Sequence, residues 1–450
     1  MRRSIWLAFL MAVLAACGAA GLGAQSAVEE CTAGVADGKA TADGRPLLWK
    51  TRDAGAINNE VIWNTSGKYH FVSVITAGQP ASSWMGVNEK GFAIINTASS
   101  DLGSGQRRPP DEDAAASDRS RKPAPSDQSG KPAPSDLGSG TLMARALREC
   151  ATVEEFEELL KATNAIGRQT ATNFGVIDAT GAAAFFETAG NKYWRYDAAN
   201  TEKGYILRSN FAINGARDGL LVRPYSMDRY LQTDELMRRF FLTDGIDFKE
   251  IVKFQIRSFG DAKGNLVPLP ITGSFDGRPP GYFPHDHSIN RNSSVSFAVI
   301  QGVRSGEDPR LSTMWTILGQ PSTGILVPYW PVGPTPAEAD GPETAPLCDA
   351  ALRIRKELYQ ELAVPAEEAK GQAPRPLYIN TRALQDENGD GIWKIMLPVE
   401  DSIIAESELL LEGWRSSGVD VEAMLATERR MAARALATLE KAYEYLKKKP

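Results

Sequence analysis

Apolar and polar side chains alternate with a period of two through most of residues 31–331, while helical spacing appears between those stretches and dominates after residue 345. Residues 31–36 and 47–52 read as two strands, with the turn chemistry of Ala42-Asp43-Gly44 between them. Residues 61–63 and 70–76 predict a second pair around Ser66-Gly67-Lys68, and 84–87 and 92–96 a third around Asn88-Glu89-Lys90-Gly91. A hairpin is expected over 173–187, and further strands at 193–197, 204–211, 292–301 and 312–318. Helices are expected at 141–161, 226–242, 247–258, 345–362, 400–414 and 420–448. In the first of these, Leu142, Ala146 and Cys150 share a face, and Thr152 can cap a second piece, with Glu154 and Glu155 in its first turn. Strands with helices between and after them make an α+β protein.

One stretch has neither period. Residues 101–140 are rich in Pro, Ser, Asp and basic residues, with almost no large apolar side chains. Ser-Asp-Leu-Gly-Ser-Gly occurs at 100–105 and again at 135–140, and Lys-Pro-Ala-Pro-Ser-Asp at 122–127 and 131–136. Such a segment cannot repay its ordering entropy, so a disordered insert in a surface loop is expected, dispensable for catalysis. Deleting 106–140 joins Gly105 to Thr141 and leaves one copy of the first repeat.

Composition narrows the class. Hydrophobic residues at 42% and charged residues at 24% suit a globular protein, and a net charge of −6 gives no electrostatic case for nucleic acid. Arg2-Arg3-Ser4 followed by an apolar run over 5–16 reads as a secretory signal peptide ending near Ala24, with 25–30 as a short propeptide or spacer. Leu14-Ala15-Ala16-Cys17 also fits a bacterial lipobox, in which Cys17 carries a lipid. The expectation is an exported protein, periplasmic, secreted or envelope-bound, that meets a membrane only through such an anchor. Of the four cysteines, Cys150 and Cys348 either pair in an oxidising compartment or stand as two separate buried thiols.

Candidate chemistry concentrates between Cys31 and Asp53. A chain cut before Cys31 carries a thiol and a free α-amine on one residue, so a nucleophile and its base sit together. The run Cys31-Thr32, a short hairpin and then Lys50-Thr51-Arg52-Asp53 resembles the opening of the cysteine N-terminal nucleophile (Ntn) hydrolases. The nearest group is the acyl-coenzyme A:6-aminopenicillanic acid acyltransferase and carcinine-hydrolase-like enzymes; choloylglycine hydrolases and the dipeptidases of the superfamily are more distant. Asn88-Glu89-Lys90-Gly91-Phe92, Arg208-Ser209-Asn210-Phe211 and the strand pair closing at Gly319-Gln320-Pro321 resemble further elements of that group. The resemblance covers residues 31–335 without the insert, and leaves 336–450 as a helical C-terminal extension.

The resemblance implies a four-layer αββα sandwich and no cofactor. It implies Cys31 as the nucleophile that attacks an amide carbonyl and forms a thioester, and Asp53 as the anchor of its α-amine. Asn96 and Asn210 are the implied oxyanion donors, with Asn173 a third choice. Lys50 stands where the relatives carry arginine; lysine lacks the planar fork, and Arg52 is the alternative. Strict alternation puts Lys50 and Arg52 on one face and Asp53 on the other, so a bend near Thr51 is expected if all three are to meet the thiol.

Rival signals are thinner. His285-Asp286-His287 offers a metal-binding pair, but His70 is the only other histidine, and neither His-Glu-x-x-His nor Gly-x-Ser-x-Gly occurs. Residues 386–391 begin like a calcium loop, yet its twelfth position is Leu397, so a turn is expected. The functional expectation is an exported amidohydrolase acting on a small acyl-amide or short peptide. The alternatives are an acyltransferase of the same fold and a catalytically inactive envelope lipoprotein held through Cys17.

Overall fold

The computed structural model describes residues 30–99, 101–102, 137–213, 226–341, 344–360 and 378–448. The expected signal peptide, the spacer before Glu30, Cys17 and most of the insert lie outside them.

Ten strands precede the long middle helix: β1 Glu30–Ala36, β2 Leu47–Asp53, β3 Asn59–Asn64, β4 Phe71–Thr76, β5 Met85–Asn88, β6 Ala93–Ala98, β7 Thr172–Ile177, β8 Ala183–Thr188, β9 Tyr193–Asp197 and β10 Tyr205–Arg208. Helices α1 (Ser139–Glu149) and α2 (Val153–Asn164) fall between β6 and β7. Helix α3 (Met227–Thr243) follows, then β11 Ser294–Gln301, β12 Thr313–Leu318 and β13 Val327–Tyr329. Helices α4 (Pro346–Leu358), α5 (Trp393–Ser417) and α6 (Val421–Lys448) close the chain.

The strands form two main antiparallel sheets, one in the order β10-β1-β2-β11-β12-β13 and one running β3 to β9 in sequence order. Their inner faces pack on each other through Ala33, Val35, Leu48 and Ile300 on one side and Val72, Val74, Met85 and Ile95 on the other. The outer face of the six-stranded sheet carries Trp49, Phe297 and Trp315, covered by Leu236, Met237 and Phe240 of α3 and Leu411 and Trp414 of α5. The outer face of the seven-stranded sheet carries Phe71, Ile94, Phe174 and Phe186, covered by Leu142 and Leu147 of α1 and Phe156 of α2. Both sheets are buried on both sides, which makes an αββα sandwich with further helices at its C-terminal end. The closeness of packing shows at Gly34, where a Cβ would lie 2.1 Å from the Trp49 ring of the neighbouring strand.

Helix α2 starts where the pattern placed it, with Thr152 Oγ1 accepting from the Glu155 amide at 3.1 Å. Several expectations need correction. The helix expected over 345–362 ends at Leu358, because Tyr359 and Gln360 pair with Ile379 and Tyr378 as a short strand. Helix α5 begins at Trp393 rather than residue 400 and carries Pro398 inside it. Tertiary contacts hold that first turn: Met396 is buried, and the Trp393 ring N–H donates to the Ser322 carbonyl at 2.9 Å. The edges of the insert belong to the fold. Leu102 and Leu137 are buried, Asp101 accepts the Ala212 amide, and the Gly140 carbonyl accepts from Ser83 N at 3.0 Å. The two copies of the repeat therefore place their leucines, Leu102 and Leu137, at two separate buried positions.

The C-terminal helices are bound to the sandwich by buried carboxylates. Glu400 of α5 takes both Arg257 nitrogens, at 2.7 and 2.8 Å, and the Leu326 amide at 2.8 Å. Glu428 of α6 accepts the Trp330 amide at 2.6 Å, and burial pushes its carboxyl well above the usual range. Cys150 and Cys348 form no disulfide. They are the two separate buried thiols of the alternative reading, Cys150 behind the seven-stranded sheet and Cys348 beside the Asn59 amide, raised by burial to about 12 and about 11.

Candidate active site

Strand β1 pairs with β2 without interruption, from Ala36 opposite Leu47 to Glu30 opposite Asp53. Cys31 therefore faces Arg52 across the ladder, and Ala33 faces Lys50. Period-two alternation gives these residues the inner face and gives Thr51 and Asp53 the outer one. The expected bend near Thr51 is absent. The irregularity of this region lies in β11, between Ser294 and Ser296, where that strand pairs with the end of β2.

On the inner face, Lys50 crosses to the opposite sheet and donates from Nζ to Asn96 Oδ1 at 2.6 Å, with the Trp84 carbonyl at 3.4 Å. Arg52 lies 4.4 Å above the Trp84 ring centre and donates to Asn59 Oδ1 at 2.6 Å and Thr76 Oγ1 at 3.4 Å. Lys50, Arg52 and Asn96 are all buried. The acceptors in these contacts are neutral, and the Trp84 ring adds a cation–π contact. Asn96 spends its carbonyl oxygen on Lys50, and its amide NH₂ has no hydrogen bond among the described residues.

On the outer face, buried polar groups converge on the main chain of Cys31. Its peptide nitrogen donates to Asn210 Oδ1 at 2.9 Å, and its carbonyl accepts from Arg229 Nη1 at 2.8 Å. Arg229 also donates to Thr32 Oγ1 at 3.1 Å and Asn210 Oδ1 at 2.9 Å, and its Nη1 lies 3.6 Å from Asp53 Oδ2. Asp53 Oδ1 accepts from Ser294 Oγ at 2.7 Å, while Oδ2 is buried with no hydrogen bond. Burial outweighs Arg229, Arg291 and the Ser294 hydroxyl and pushes the Asp53 carboxyl up to about 6.

Asn210, expected as an oxyanion donor, meets the Cys31 main chain through its carbonyl oxygen. Two N–H donors converge on its Oδ1, which fixes the orientation of the amide, and its NH₂ donates to the Ala98 carbonyl at 3.1 Å. It holds the nitrogen of Cys31 instead. Asn173 of β7 reaches β6 and the segment after β10, donating to Thr97 Oγ1 and the Phe211 carbonyl, both at 3.0 Å. The two histidines of the rival reading go to different partners: buried His285 to the Asn290 carbonyl and the Tyr359 hydroxyl, His287 to Asp228. Among the described residues no cluster of His, Cys, Asp and Glu has metal-binding geometry. Residues 386–391 form a turn in which Asp386 Oδ1 accepts the amides of Asn388 and Asp390, both at 2.9 Å.

Sequence reasoning missed Arg229, and a signal for it existed. It falls in helical register with the buried Gln232, Thr233, Leu236 and Phe240 of α3, so it is an arginine on the face turned to the sheet. The helix start is built to deliver it. Ser226 holds a left-handed backbone, φ 69°, and its Oγ accepts from Ser209 Oγ at 2.6 Å and from the Asn210 amide at 2.8 Å. A non-glycine residue in that conformation costs on the order of 1–3 kcal/mol, which the surrounding hydrogen bonds offset.

Neither a family model nor a curated protein matches the chain. Solved structures similar to it include a mutant of a conjugated bile acid hydrolase from Clostridium perfringens, at 13% identity and a TM-score of 0.37 over 67% of this chain and 92% of that one. Another is a penicillin V acylase from Agrobacterium tumefaciens, also 13% identical with a TM-score of 0.37, covering 67% of this chain and 85% of that one. Likenesses this distant decide nothing about chemistry. The buried contacts around Cys31 are this chain's own.

Proposed function

We propose that the protein is an exported amidohydrolase that cleaves the C–N bond of a small acyl-amide or short peptide through a thioester on Cys31. One observation supports the reading: buried side chains of Asn210 and Arg229, from two distant parts of the chain, meet at the nitrogen and carbonyl of a single cysteine. A core cysteine in a strand needs no such apparatus. A cysteine whose own nitrogen must become a positioned base does.

The Glu30–Cys31 bond is intact in the described chain, so the Cys31 nitrogen is an amide. Cleavage there, by the chain itself or by a peptidase, frees the α-amine. Asn210 Oδ1 then accepts from that amine, and Asp53 Oδ2 is a carboxylate oxygen with no hydrogen bond of its own. The amine takes the thiol proton, and Sγ attacks the substrate carbonyl. The C–N bond breaks, the leaving amine takes the proton, and the thioester remains. Water, deprotonated by the same amine, hydrolyses the thioester and restores the thiol. The Asn96 NH₂, on the inner face with the thiol, supplies an oxyanion donor. An amine in place of water would make the same intermediate an acyltransferase.

Intact mass and N-terminal sequencing test the first step: the mature chain is expected to begin at Cys31. Cys31→Ala is expected to lose activity toward every amide by at least about 10⁴-fold. Full amidase activity in that variant sinks the enzyme reading. A mature lipidated chain with Cys31 still internal favours the binding lipoprotein instead.

A further inference from the structure

A second proposal, for the acyl group, rests on the reading of Cys31 as its acceptor. In the intact chain, the carbonyl bonded to the Cys31 nitrogen belongs to Glu30, so Glu30 is the acyl group already in place. Its side chain is seated. Arg291 Nη1 donates to Glu30 Oε2, and Arg229 Nη2 lies 3.9 Å from the same oxygen. Both members of the Arg291–Glu30 pair are largely buried, with 15% and 16% of their side chains exposed.

Arg291 is fixed by its own main chain. Its amide donates to Ser294 Oγ at 3.1 Å, and its carbonyl accepts from Gln320 Nε2 at 3.0 Å. Ser294 is also the residue that holds Asp53. The main chain that carries the guanidinium is therefore tied to the same frame as the amine anchor. Arg229 is committed to Cys31, Thr32 and Asn210 whether or not Glu30 is present. Arg291 is the cation whose contact with Glu30 ends when the segment before Cys31 departs. Asp53 and Asp286 lie within its electrostatic reach, and burial raises both carboxyls, Asp286 less deeply.

We propose that Arg291 is a specificity residue, forming an anion subsite for the acyl part of the substrate. The substrate class is an amide whose acyl chain ends in a carboxylate at the distance set by a glutamyl side chain. A glutaryl amide reproduces that spacing without the amino group. Its carboxylate replaces that of Glu30 on Arg291, and its carbonyl meets the Cys31 thiol. Sγ bonds to the carbonyl carbon, the amine leaves with the proton, and water releases glutarate from the thioester.

The test compares the glutaryl, glutaramyl and valeryl amides of one chromogenic amine on the processed wild-type protein. Acyl-enzyme on Cys31 is followed by mass alongside turnover. The expected result is a kcat/KM for the glutaryl amide at least about tenfold above both neutral analogues. Arg291→Gln is expected to collapse that ratio towards one, and Arg291→Lys to restore part of it. Equal turnover of charged and neutral acyl groups by the wild type, as when Asp286 takes the guanidinium after processing, overturns the Arg291 proposal and leaves Cys31 as nucleophile. No acyl-enzyme from any of the three, together with unchanged turnover in Cys31→Ala, overturns both.

Discussion

The two faces of β2 carry charge in different ways. On the inner face, Lys50 and Arg52 are buried between the sheets, and the contacts described for them are neutral: two amide oxygens, a hydroxyl, a carbonyl and an indole ring. On the outer face, Asp53 is buried against two arginines and a hydroxyl, with one carboxylate oxygen left without a hydrogen bond. The inner arrangement holds Lys50 against Asn96 Oδ1 and leaves the Asn96 NH₂ on the side of the thiol. The outer one keeps acceptor capacity in hand, at a cost in stability, and that capacity points to work on a cation such as an amine. A buried group that is well satisfied reads as structure, and one held short of satisfaction reads as chemistry.

The sharpest way to break the contrast is Asp53→Asn. It is expected to lower kcat by about 10²–10⁴-fold. In the processed wild type, activity falls where Asp53 takes a proton; the departure of Glu30 and the new ammonium both lower that point from the value of about 6 in the uncleaved chain, and the limb should vanish in the variant. The effect on stability has the opposite sense. The native carboxyl binds a proton more tightly than the unfolded one, so this group's contribution to stability rises as pH falls from about 6 toward 4. Denaturant titrations across that range check the sign.

Arg229→Met comes next. It strips the carbonyl of Cys31 and Asn210 of one shared donor and Asp53 of a neighbouring cation, and is expected to cost about 3–5 kcal/mol in urea unfolding. The acid limb should move to higher pH, since the largest influence opposing the rise of Asp53 is gone. Lys50→Met is milder: it leaves Asn96 Oδ1 without its donor, at about 1–3 kcal/mol. Adding Asn96→Leu removes both polar groups and should bring stability back to within about 1 kcal/mol of wild type. A double variant no more stable than Lys50→Met alone would show that Lys50 and Asn96 do not act as a self-contained pair on the inner face.

Much of the scaffold was legible in the chain. Alternation located most strands of both sheets, since a strand buried on one face and covered on the other still keeps its β-branched and aromatic residues in runs. It also put Lys50 and Arg52 opposite Asp53, and the bend invoked to reunite them proved unnecessary: the nitrogen of Cys31 lies in the ladder, between the two faces, and is reached from the outer side. Periodicity could not show Arg229 touching Cys31 from 198 residues away, because that contact depends on how α3 lies across the sheet. The start of α5 was missed for a related reason. Pro398 reads locally as a boundary, and only the seat of Trp393 against Ser322 extends the helix before it.

The last rung of the β1–β2 ladder pairs Glu30 with Asp53. The proposed cleavage before Cys31 would take away half of that rung and leave β2 projecting one residue past its neighbour, with main-chain polar groups that had been spoken for. An extended ligand lying along this ledge can add itself to the sheet edge and recover those hydrogen bonds. The departing segment then doubles as a template: it shapes, in backbone as well as side chain, the berth that its successor fills.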